Sequence, residues 1–280
     1  MDGIIIINKP QNCTSHDIVY KIKKLTNQKV GHTGTLDPLA EGVLPILVGK
    51  ATRCSKYLIN HNKKYIVKLK LGVKTDTLDE EGKIIEKKNV DSKIMDKTNI
   101  ENTLELFIGK QTQIPPIYSA IKVNGKKLYE YARKGQKVEI PKREIEIYEM
   151  TLLNIDKKEN IIEFKVYCSK GTYIRTLCED IAKKLGTIGY MKNLKRVQVG
   201  NFCIEQSINI QEFENDLELK KEIEKNLINL EKFFADRSKI ELNNKKISKF
   251  LNGGKIIVEK ENGVYSVFER KQVYWNRDCK

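Results

Sequence analysis

A short glycine-rich segment places a carboxylate where it can do chemistry. The segment reads Gly31-His32-Thr33-Gly34-Thr35-Leu36-Asp37-Pro38, so Asp37 follows a flexible stretch and precedes a proline that fixes the chain. Glycine's conformational freedom allows such a carboxylate to face a bound ligand. A plain turn with a local Asp hydrogen bond fits the same residues. The segment alone therefore leaves a ligand site and an ordinary turn both open.

A second segment offers a cation at the start of a helix. Residues 169–175 read Ser-Lys-Gly-Thr-Tyr-Ile-Arg and join an alternating strand to a helical stripe. Helix starts present free N–H groups that, with nearby cations, bind anions. Arg175 should point away from the apolar stripe of Ile174 and Leu177. Either it serves a site or it is an ordinary solvated arginine.

A third segment interleaves aromatic rings with cations. Phosphates take the cations of such a pattern while unstacked bases lie on tyrosine rings, which suits RNA. An ordinary basic hairpin would look the same. Pro115 and Pro116 introduce the segment and Pro141 ends it, which suggests an arm. Its rings and cations are Tyr118, Lys122, Lys126, Lys127, Tyr129, Tyr131, Arg133, Lys134, Lys137, Lys142 and Arg143.

Composition favours a polyanionic partner and argues against several other classes of protein. The formal net charge is +15 and the pI about 9.3, which attracts nucleic acid, although abundant surface lysine has the same effect. A phosphate loop ending at Gly49-Lys50 is excluded, because Leu44 replaces its first glycine. The histidines and cysteines lack metal-ligand spacing, so we expect no metal site. Scattered cysteines and the missing signal peptide predict a cytoplasmic protein. No apolar run is long enough for a membrane span, so we expect none.

Apolar periodicity predicts a mixed set of elements. A buried strand should cover Ile4–Ile7, and a helix capped by Ser15 should follow it. The other predicted strands are centred on residues 65–71, 145–147 and 162–168, and the other helices begin near Thr98 and Thr172. The predicted stop of the Thr98 helix is Gly109, and residues 27–42 should form a long loop. This order predicts an α+β fold with a mainly antiparallel sheet.

The chain should divide into a large and a small domain. A charged helical stretch at about 208–234 resembles a boundary, and short strands at 256–258, 264–268 and 273–275 follow it. We expect a catalytic domain over 1–235, an inserted arm over about 113–142, and a small β-rich domain over 236–280.

Several segments together resemble the bacterial tRNA pseudouridine-55 synthases of the TruB family. The resemblance covers most of residues 2–206, and the loop around Asp37 is its most specific part. The matching pieces are GIIIINKP from Gly3, GHTGTLDPLAEGVLP from Gly31, Lys64-Tyr65, TDTLDEEG from Thr75, PPIYSAIKV from Pro115, KLYEYARKG from Lys127, SKGTYIRTL from Ser169, and Leu194-Lys195-Arg196.

The resemblance implies a pseudouridine synthase fold and an isomerase that needs no cofactor or metal. Such an enzyme detaches a uracil from its ribose, turns it and rejoins it through carbon. Asp37 would be the catalytic carboxylate, held in position by Arg175. Tyr65 would stack on the flipped base and is a candidate proton acceptor. By the same match, the remaining substrate-binding residues would be His32 as a wedge under the flipped stack, and Tyr173 and Leu194 as pocket lining.

The resemblance also assigns the arm and the partner. The arm would close on the T-arm of tRNA, with Lys122, Lys126, Lys127, Arg133, Lys142 and Arg143 contacting RNA. The small C-terminal domain resembles a PUA-type RNA-binding module, mainly through Leu251-Asn252-Gly253-Gly254. The inserted arm favours stand-alone action, so we expect no need for guide RNA or a protein partner. The resemblance also implies a monomer, the usual state in the family.

Two alternative functions remain open at this stage. A tRNA-folding chaperone would use the same fold without chemistry, but it has no physical need for Asp37, Tyr65 and Arg175 together. A guide-RNA-dependent synthase would share the core but act inside a complex.

Overall fold

The computed structural model describes residues 1–59, 61–235, 238–252, 254, 256–257, 263–269 and 272–279. Within them the strands are β1 Gly3–Lys9, β2 Val30–His32, β3 Glu41–Val48, β4 Lys63–Leu71, β5 Val73–Thr75, β6 Ile84–Lys87, β7 Gly109–Gln113, β8 Lys122–Val123, β9 Lys126–Lys127, β10 Arg143–Asp156, β11 Ile161–Cys168, β12 Gly189–Val199, β13 Phe202–Cys203, β14 Ile208–Asn209, β15 Ile228–Asn229, β16 Lys239–Glu241, β17 Gly263–Glu269 and β18 Gln272–Cys279. The α-helices are α1 Ser15–Thr26, α2 Lys97–Glu105, α3 Leu128–Arg133, α4 Ile174–Lys184, α5 Asp216–Lys225, α6 Leu230–Phe233 and α7 Asn244–Leu251, and 3-10 helices cover Gly49–Tyr57, Ile204–Gln206 and Ile210–Glu212.

One large mixed sheet organises the described part of the chain. Its main path runs β14-β1-β3-β12-β4-β11-β10-β7, with β2, β13 and β15 added along it. The pairs β1/β14 and β3/β12 are parallel, and the other pairs of this sheet are antiparallel. Helices α2 and α4 cover one part of the sheet, while α1 and α5 pack against β1 and β3. The expected α+β fold with a mainly antiparallel sheet is confirmed.

Alternation of side chains explains why the central strands lie where they do. Along β4 the buried residues alternate with partly exposed ones, so one face packs into the core. Helix α4 buries Ile174, Leu177 and Ile181 as one stripe. These predictions of periodicity are confirmed. The N-terminal part of β4 pairs, through Tyr65 and Arg196, with the part of β12 that contacts β3 in parallel.

Several predicted element ends were wrong. Helix α1 is capped by Thr14 rather than Ser15, and α2 is capped by Asp96 rather than Thr98. Helix α2 also stops at Glu105, before the predicted stop Gly109, which instead begins β7. The predicted loop over 27–42 contains the short strand β2, which pairs with β3. The Thr14 and Asp96 side chains accept backbone N–H bonds that fix the two caps, and pairing with β3 makes residues 30–32 a strand.

The C-terminal predictions are only partly tested. The charged stretch at 208–234 contains α5 and α6 but also β14 and β15. Strands β16, β17 and β18 form a small sheet. Ile256 and Ile257 do not lie in a strand, contrary to the prediction, and Val258 and Gly253 lie outside the described residues. The division at residue 235 and the PUA-like character of the last segment stay predictions.

Candidate active site

The loop that carries Asp37 is fixed by contacts on both sides. Leu36 is buried in the main core, and its backbone N–H and carbonyl both bond the Ser15 hydroxyl, at 2.9 and 3.2 Å. The Pro38 carbonyl accepts from the N–H of Asn12 at 2.9 Å. The Asp37 side chain itself stays 34% exposed. A rigid loop therefore presents a carboxylate that a ligand can reach.

Arg175 binds that carboxylate on both of its oxygens. Its Nε lies 3.1 Å from Asp37 Oδ2, and its Nη2 lies 3.4 Å from Oδ1. The same guanidinium lies 3.4 Å from Asp79 Oδ2 and donates to the carbonyls of Thr77 and Tyr118 at 3.2 and 2.9 Å. Such a fork fixes direction as well as distance. The solvated-arginine interpretation is wrong, because only 7% of Arg175 is exposed.

Asp79 is a second carboxylate on the guanidinium, and sequence reasoning missed it. It is buried, and its Oδ1 accepts from the Thr77 hydroxyl at 2.5 Å and the Glu81 N–H at 3.2 Å. Burial raises the pKa of Asp79, while the Thr77 hydrogen bond and the Arg175 cation offset part of that rise. Asp79 stands within the quoted TDTLDEEG piece, which was the available signal. Its partners hold the β5–β6 turn against Arg175.

Two buried cations hold the Asp37 loop through carbonyls. Arg196 is 2% exposed, and it donates to the carbonyls of Val43 at 2.8 Å, Gly34 at 3.0 Å and Thr35 at 3.5 Å. Lys9 is fully buried, and its Nζ donates to the carbonyls of Pro10, Cys13 and Pro38, at 2.8, 2.7 and 3.2 Å respectively. Burial lowers the pKa of both side chains. Sequence reasoning gave neither residue a role.

The parallel contact of β3 and β12 brings Arg196 under this loop. Gly42 has φ 112°, and a Cβ there would lie 2.2 Å from the Arg196 carbonyl oxygen. Only glycine therefore permits the two strands to approach so closely.

Tyr65 lies on β4 directly opposite Arg196 of β12. Burial raises the pKa of Tyr65 to about 12, and the neighbouring Arg196 cation offsets part of that rise. Leu194 lies opposite Val67 on the same pair of strands. Lys63, two residues before Tyr65 and on the same face, donates to the carbonyls of Ile59 and His61. Burial lowers its pKa to about 8, helped by nearby Arg196.

A cavity of about 1030 Å³ joins most of these groups. It brings together Asp37, Tyr65, Arg175, Tyr173, Leu194 and Arg143 from the predicted set. Tyr118 and Tyr129, which the sequence placed among the rings of the arm, also line it, as does Lys63, to which the sequence gave no role. The volume is at the upper end of ordinary ligand pockets. The opening therefore has room for more than a free base.

His32 does not line the cavity. It ends β2, and its Nδ1 accepts from the Gly34 N–H at 3.3 Å. Burial lowers the pKa of His32, and nearby Arg196 adds to that shift. The contact supports the turn that precedes Asp37, and the wedge role stays a prediction.

The arm displays its cations around a tyrosine. Lys127 Nζ and the Arg133 guanidinium each lie 5.3 Å from the centre of the Tyr129 ring. The Tyr131 hydroxyl donates to the Val123 carbonyl at 3.0 Å, which ties α3 to β8. Of the predicted arm cations, Arg143 lines the cavity, while Lys122, Lys126, Lys127, Arg133 and Lys142 lie along the arm outside it.

The described residues also bear on metal binding and on membrane spans. Within the described ranges, no cluster of three or more His, Cys, Asp or Glu side chains is placed to hold a metal ion. Among the same residues, every helix is too short or too polar to cross a membrane.

The chain resembles known proteins in both sequence and fold. The model of the TruB family pseudouridylate synthase N-terminal domain matches residues 22–174, and that of the tRNA pseudouridylate synthase B C-terminal domain matches residues 175–235. A tRNA pseudouridine synthase B of Clostridium kluyveri is 44% identical over 90% of this chain and 84% of its own. One of Clostridium acetobutylicum is 43% identical over 97% and 93%.

A solved structure shares the architecture. The crystal structure of a Cbf5-Nop10-Gar1 complex contains a chain that is 25% identical, with a TM-score of 0.71 over 99% of this chain and 78% of that one. The matched domains span more than half of the sequence, and the relatives exceed 40% identity over nearly all of it. The chain therefore belongs to the TruB family of pseudouridylate synthases.

Proposed function

We propose that the protein converts uridine 55 in the T-loop of tRNA to pseudouridine, with Asp37 as the nucleophile. The relatives named tRNA pseudouridine synthase B support pseudouridylation of tRNA as the activity. The observation that carries the residue assignment is the Asp37 carboxylate. It is held on both oxygens by buried Arg175 and faces a cavity lined by Tyr65 and Leu194.

The reaction is an isomerisation, so its atoms balance without a co-reactant. The bond from the ribose to uracil N1 breaks, the base turns, and a bond from the ribose to C5 forms while a proton moves from C5 to N1. Asp37 attacks the ribose or the base and is released at the end. Asp79 and the carbonyls of Thr77 and Tyr118 also hold Arg175, so it stays in place throughout. Asp79 is held in turn by the Thr77 hydroxyl.

Tyr65 supplies the surface for the flipped base. Extracting a base from its stack costs a few kcal/mol, and stacking on an aromatic ring returns about 1–3 kcal/mol. With its pKa raised to about 12, the Tyr65 phenol is neutral at physiological pH. It therefore presents an uncharged ring to the base. Tyr173 and Leu194 complete the walls of the pocket.

The arm and the overall charge supply affinity for RNA. Lys126, Arg133 and Lys142 are exposed, and other residues of the same arm, Tyr118 and Tyr129, line the cavity. Their contacts with phosphates would not depend on base identity. We propose that the protein acts alone, as a monomer, without cofactor or guide RNA.

The first test compares wild-type protein with Asp37→Ala on an unmodified tRNA transcript. We expect wild-type protein alone to form pseudouridine at position 55. Asp37→Ala should abolish turnover and leave tRNA affinity within about twofold, because the carboxylate acts on the reacting nucleoside and not on phosphates. Pseudouridine mapping and filter binding measure the two quantities. Asp76→Ala is the matched control, since that carboxylate caps the β5–β6 turn from its exposed side.

Other outcomes would point elsewhere. Binding without modification by wild-type protein would favour the chaperone. A strict requirement for guide RNA or partner proteins would favour the guide-dependent class. Loss of affinity in Asp37→Ala equal to its loss of turnover would remove Asp37 from the chemical step.

A further inference from the structure

Gln113 occupies the point where the arm leaves the sheet. It is the last residue of β7 and pairs with Arg143, the first residue of β10, so the whole arm lies between these two partners. Its side chain is nonetheless directed inward, with only 4% of the residue exposed. A buried amide is expected to use its donors and acceptors.

The Gln113 amide pairs with both backbone groups of Tyr173. Its Oε1 accepts from the Tyr173 N–H at 2.8 Å, and its Nε2 donates to the Tyr173 carbonyl at 3.1 Å. Tyr173 is the N-cap residue of α4, and its own side chain makes no capping hydrogen bond. Gln113, on strand β7, therefore fixes the start of α4.

Two further contacts connect the base of the arm with the first turn of α4. The Thr176 hydroxyl donates to the Ile114 carbonyl at 3.3 Å, and Arg175 Nη2 donates to the Tyr118 carbonyl at 2.9 Å. Residues 173, 175 and 176 thus each bond the chain between 113 and 118. The contact of Gln113 with Tyr173 differs from the other two contacts, because it holds a cavity-lining residue through two hydrogen bonds.

We propose that Gln113 is a positioning residue for the reaction. It joins the base of the RNA-binding arm to Tyr173, which lines the active site, and to the helix turn that carries Arg175. This inference rests on the proposed function. Nothing in the side chain touches the cavity, so Gln113 acts only through Tyr173 and Arg175.

The physical reason is the short path from Gln113 to Asp37. Tyr173 precedes Arg175 by two residues, and Arg175 bonds both oxygens of Asp37. A shift of the helix start would move the guanidinium against the carboxylate and the tyrosine against the base. Misplacement of about 1 Å can cost a reaction up to about 100-fold in rate.

The test is Gln113→Met in the full chain, with Gln111→Met as matched control. Methionine keeps the length of the side chain but leaves both Tyr173 groups without their partner. Gln111 lies two residues earlier on β7 and donates only to the Phe107 carbonyl. The readouts are the single-turnover rate of pseudouridine formation at saturating enzyme and the dissociation constant for tRNA.

We expect Gln113→Met to lower the saturating rate at least about tenfold, the equivalent of a lost hydrogen bond. Its tRNA dissociation constant should stay within about twofold of wild type, and Gln111→Met should match wild type in both. An unchanged rate with a lower melting temperature would make Gln113 purely structural. A raised dissociation constant with an unchanged rate would assign it to RNA binding. Either result overturns the proposal.

A second measurement is independent of activity. Hydrogen exchange of the peptide that contains Tyr173 should accelerate in Gln113→Met and not in Gln111→Met, because the Tyr173 N–H loses its acceptor. Unchanged exchange would contradict the proposal even if wild-type protein made no pseudouridine. Absence of product from wild type and Gln111→Met would instead count against the proposed function.

Discussion

At the scale of single residues, burial in the cavity wall favours the neutral forms of two titratable side chains. Lys63 and Tyr65 lie on the same face of β4, and burial moves the pKa of each toward its neutral form, to about 8 and about 12. Neither shift could be predicted from the sequence, because Lys63 looks like any other lysine of an alternating strand. Arg175 was different: its helix-start position was readable, but only the packed structure decided between site and solvent.

The Lys63 shift has a consequence for stability. Between pH 8 and 10.5 the unfolded chain binds a proton at this lysine that the folded chain has released, so the free energy of unfolding should rise with pH in that range. Below pH 8 both states bind it, and the penalty of burying the charge is fully present. Its size is on the order of 3 kcal/mol.

Lys63→Met should remove this rise, as measured by urea unfolding at pH 8, 9 and 10. Lys68→Met is the control, because Lys68 is the exposed lysine of the same strand. The difference between the two variants should therefore change with pH in that window. Parallel stability curves for Lys68→Met and Lys63→Met would contradict the shift. Tyr65 adds an opposite trend only above pH 10, where its raised pKa makes stability fall as pH rises through 12.

At the scale of elements, the sequence predicted periodic segments better than their ends. The strand at 65–71 and the stripe of α4 follow from alternation and helical spacing alone. The cap of α1 does not, because Thr14 and Ser15 are adjacent and both are good caps. Thr14 takes the cap and forms a capping box with Asp17. Ser15 instead hydrogen-bonds the backbone of Leu36, a partner 21 residues away that no local pattern reveals.

These neighbours should separate stability from activity. Thr14→Ala should lower the free energy of unfolding by about 1 kcal/mol and leave turnover per folded molecule unchanged. Ser15→Ala should lower turnover, because Leu36 loses the buried hydroxyl that fixes the loop before Asp37. Thermal unfolding and the single-turnover rate distinguish the two. Equal turnover in both variants would show that Ser15 does not position the loop.

At the scale of the whole molecule, the excess of positive charge includes cations both near the cavity and far from it. Hairpin strand β10 carries Arg143 at the cavity and extends to Asp156, roughly 40 Å away for a strand of this length. Lysines beyond that far end contribute to the net charge of +15 without reaching the cavity. Composition predicted the polyanionic partner, but it could not say which cations face it, because strand order is set by long-range pairing.

Removing charge from the arm should weaken tRNA binding and flatten its salt dependence. The variant Lys126→Ala/Arg133→Ala/Lys142→Ala should reduce the slope of log K against log salt by about two to three. The control Lys157→Ala/Lys158→Ala/Lys221→Ala removes the same charge from exposed positions elsewhere. Filter binding across a salt series measures both. An identical slope in the two triple variants would make the arm irrelevant to phosphate contact.

The hydrogen bonds from Lys9 and Arg196 to the Asp37 loop constrain some positions of the sequence more than others. Both cations bond carbonyl oxygens of the loop and its flanks, and every residue type supplies a carbonyl. Exchanging the side chain of Thr35 or Val43 therefore leaves the acceptor in place. A change at Lys9 or Arg196 instead removes several bonds at once. These bonds therefore constrain the sequence at Lys9 and Arg196 themselves, and they set no requirement of their own on the side chains of the residues whose carbonyls accept them.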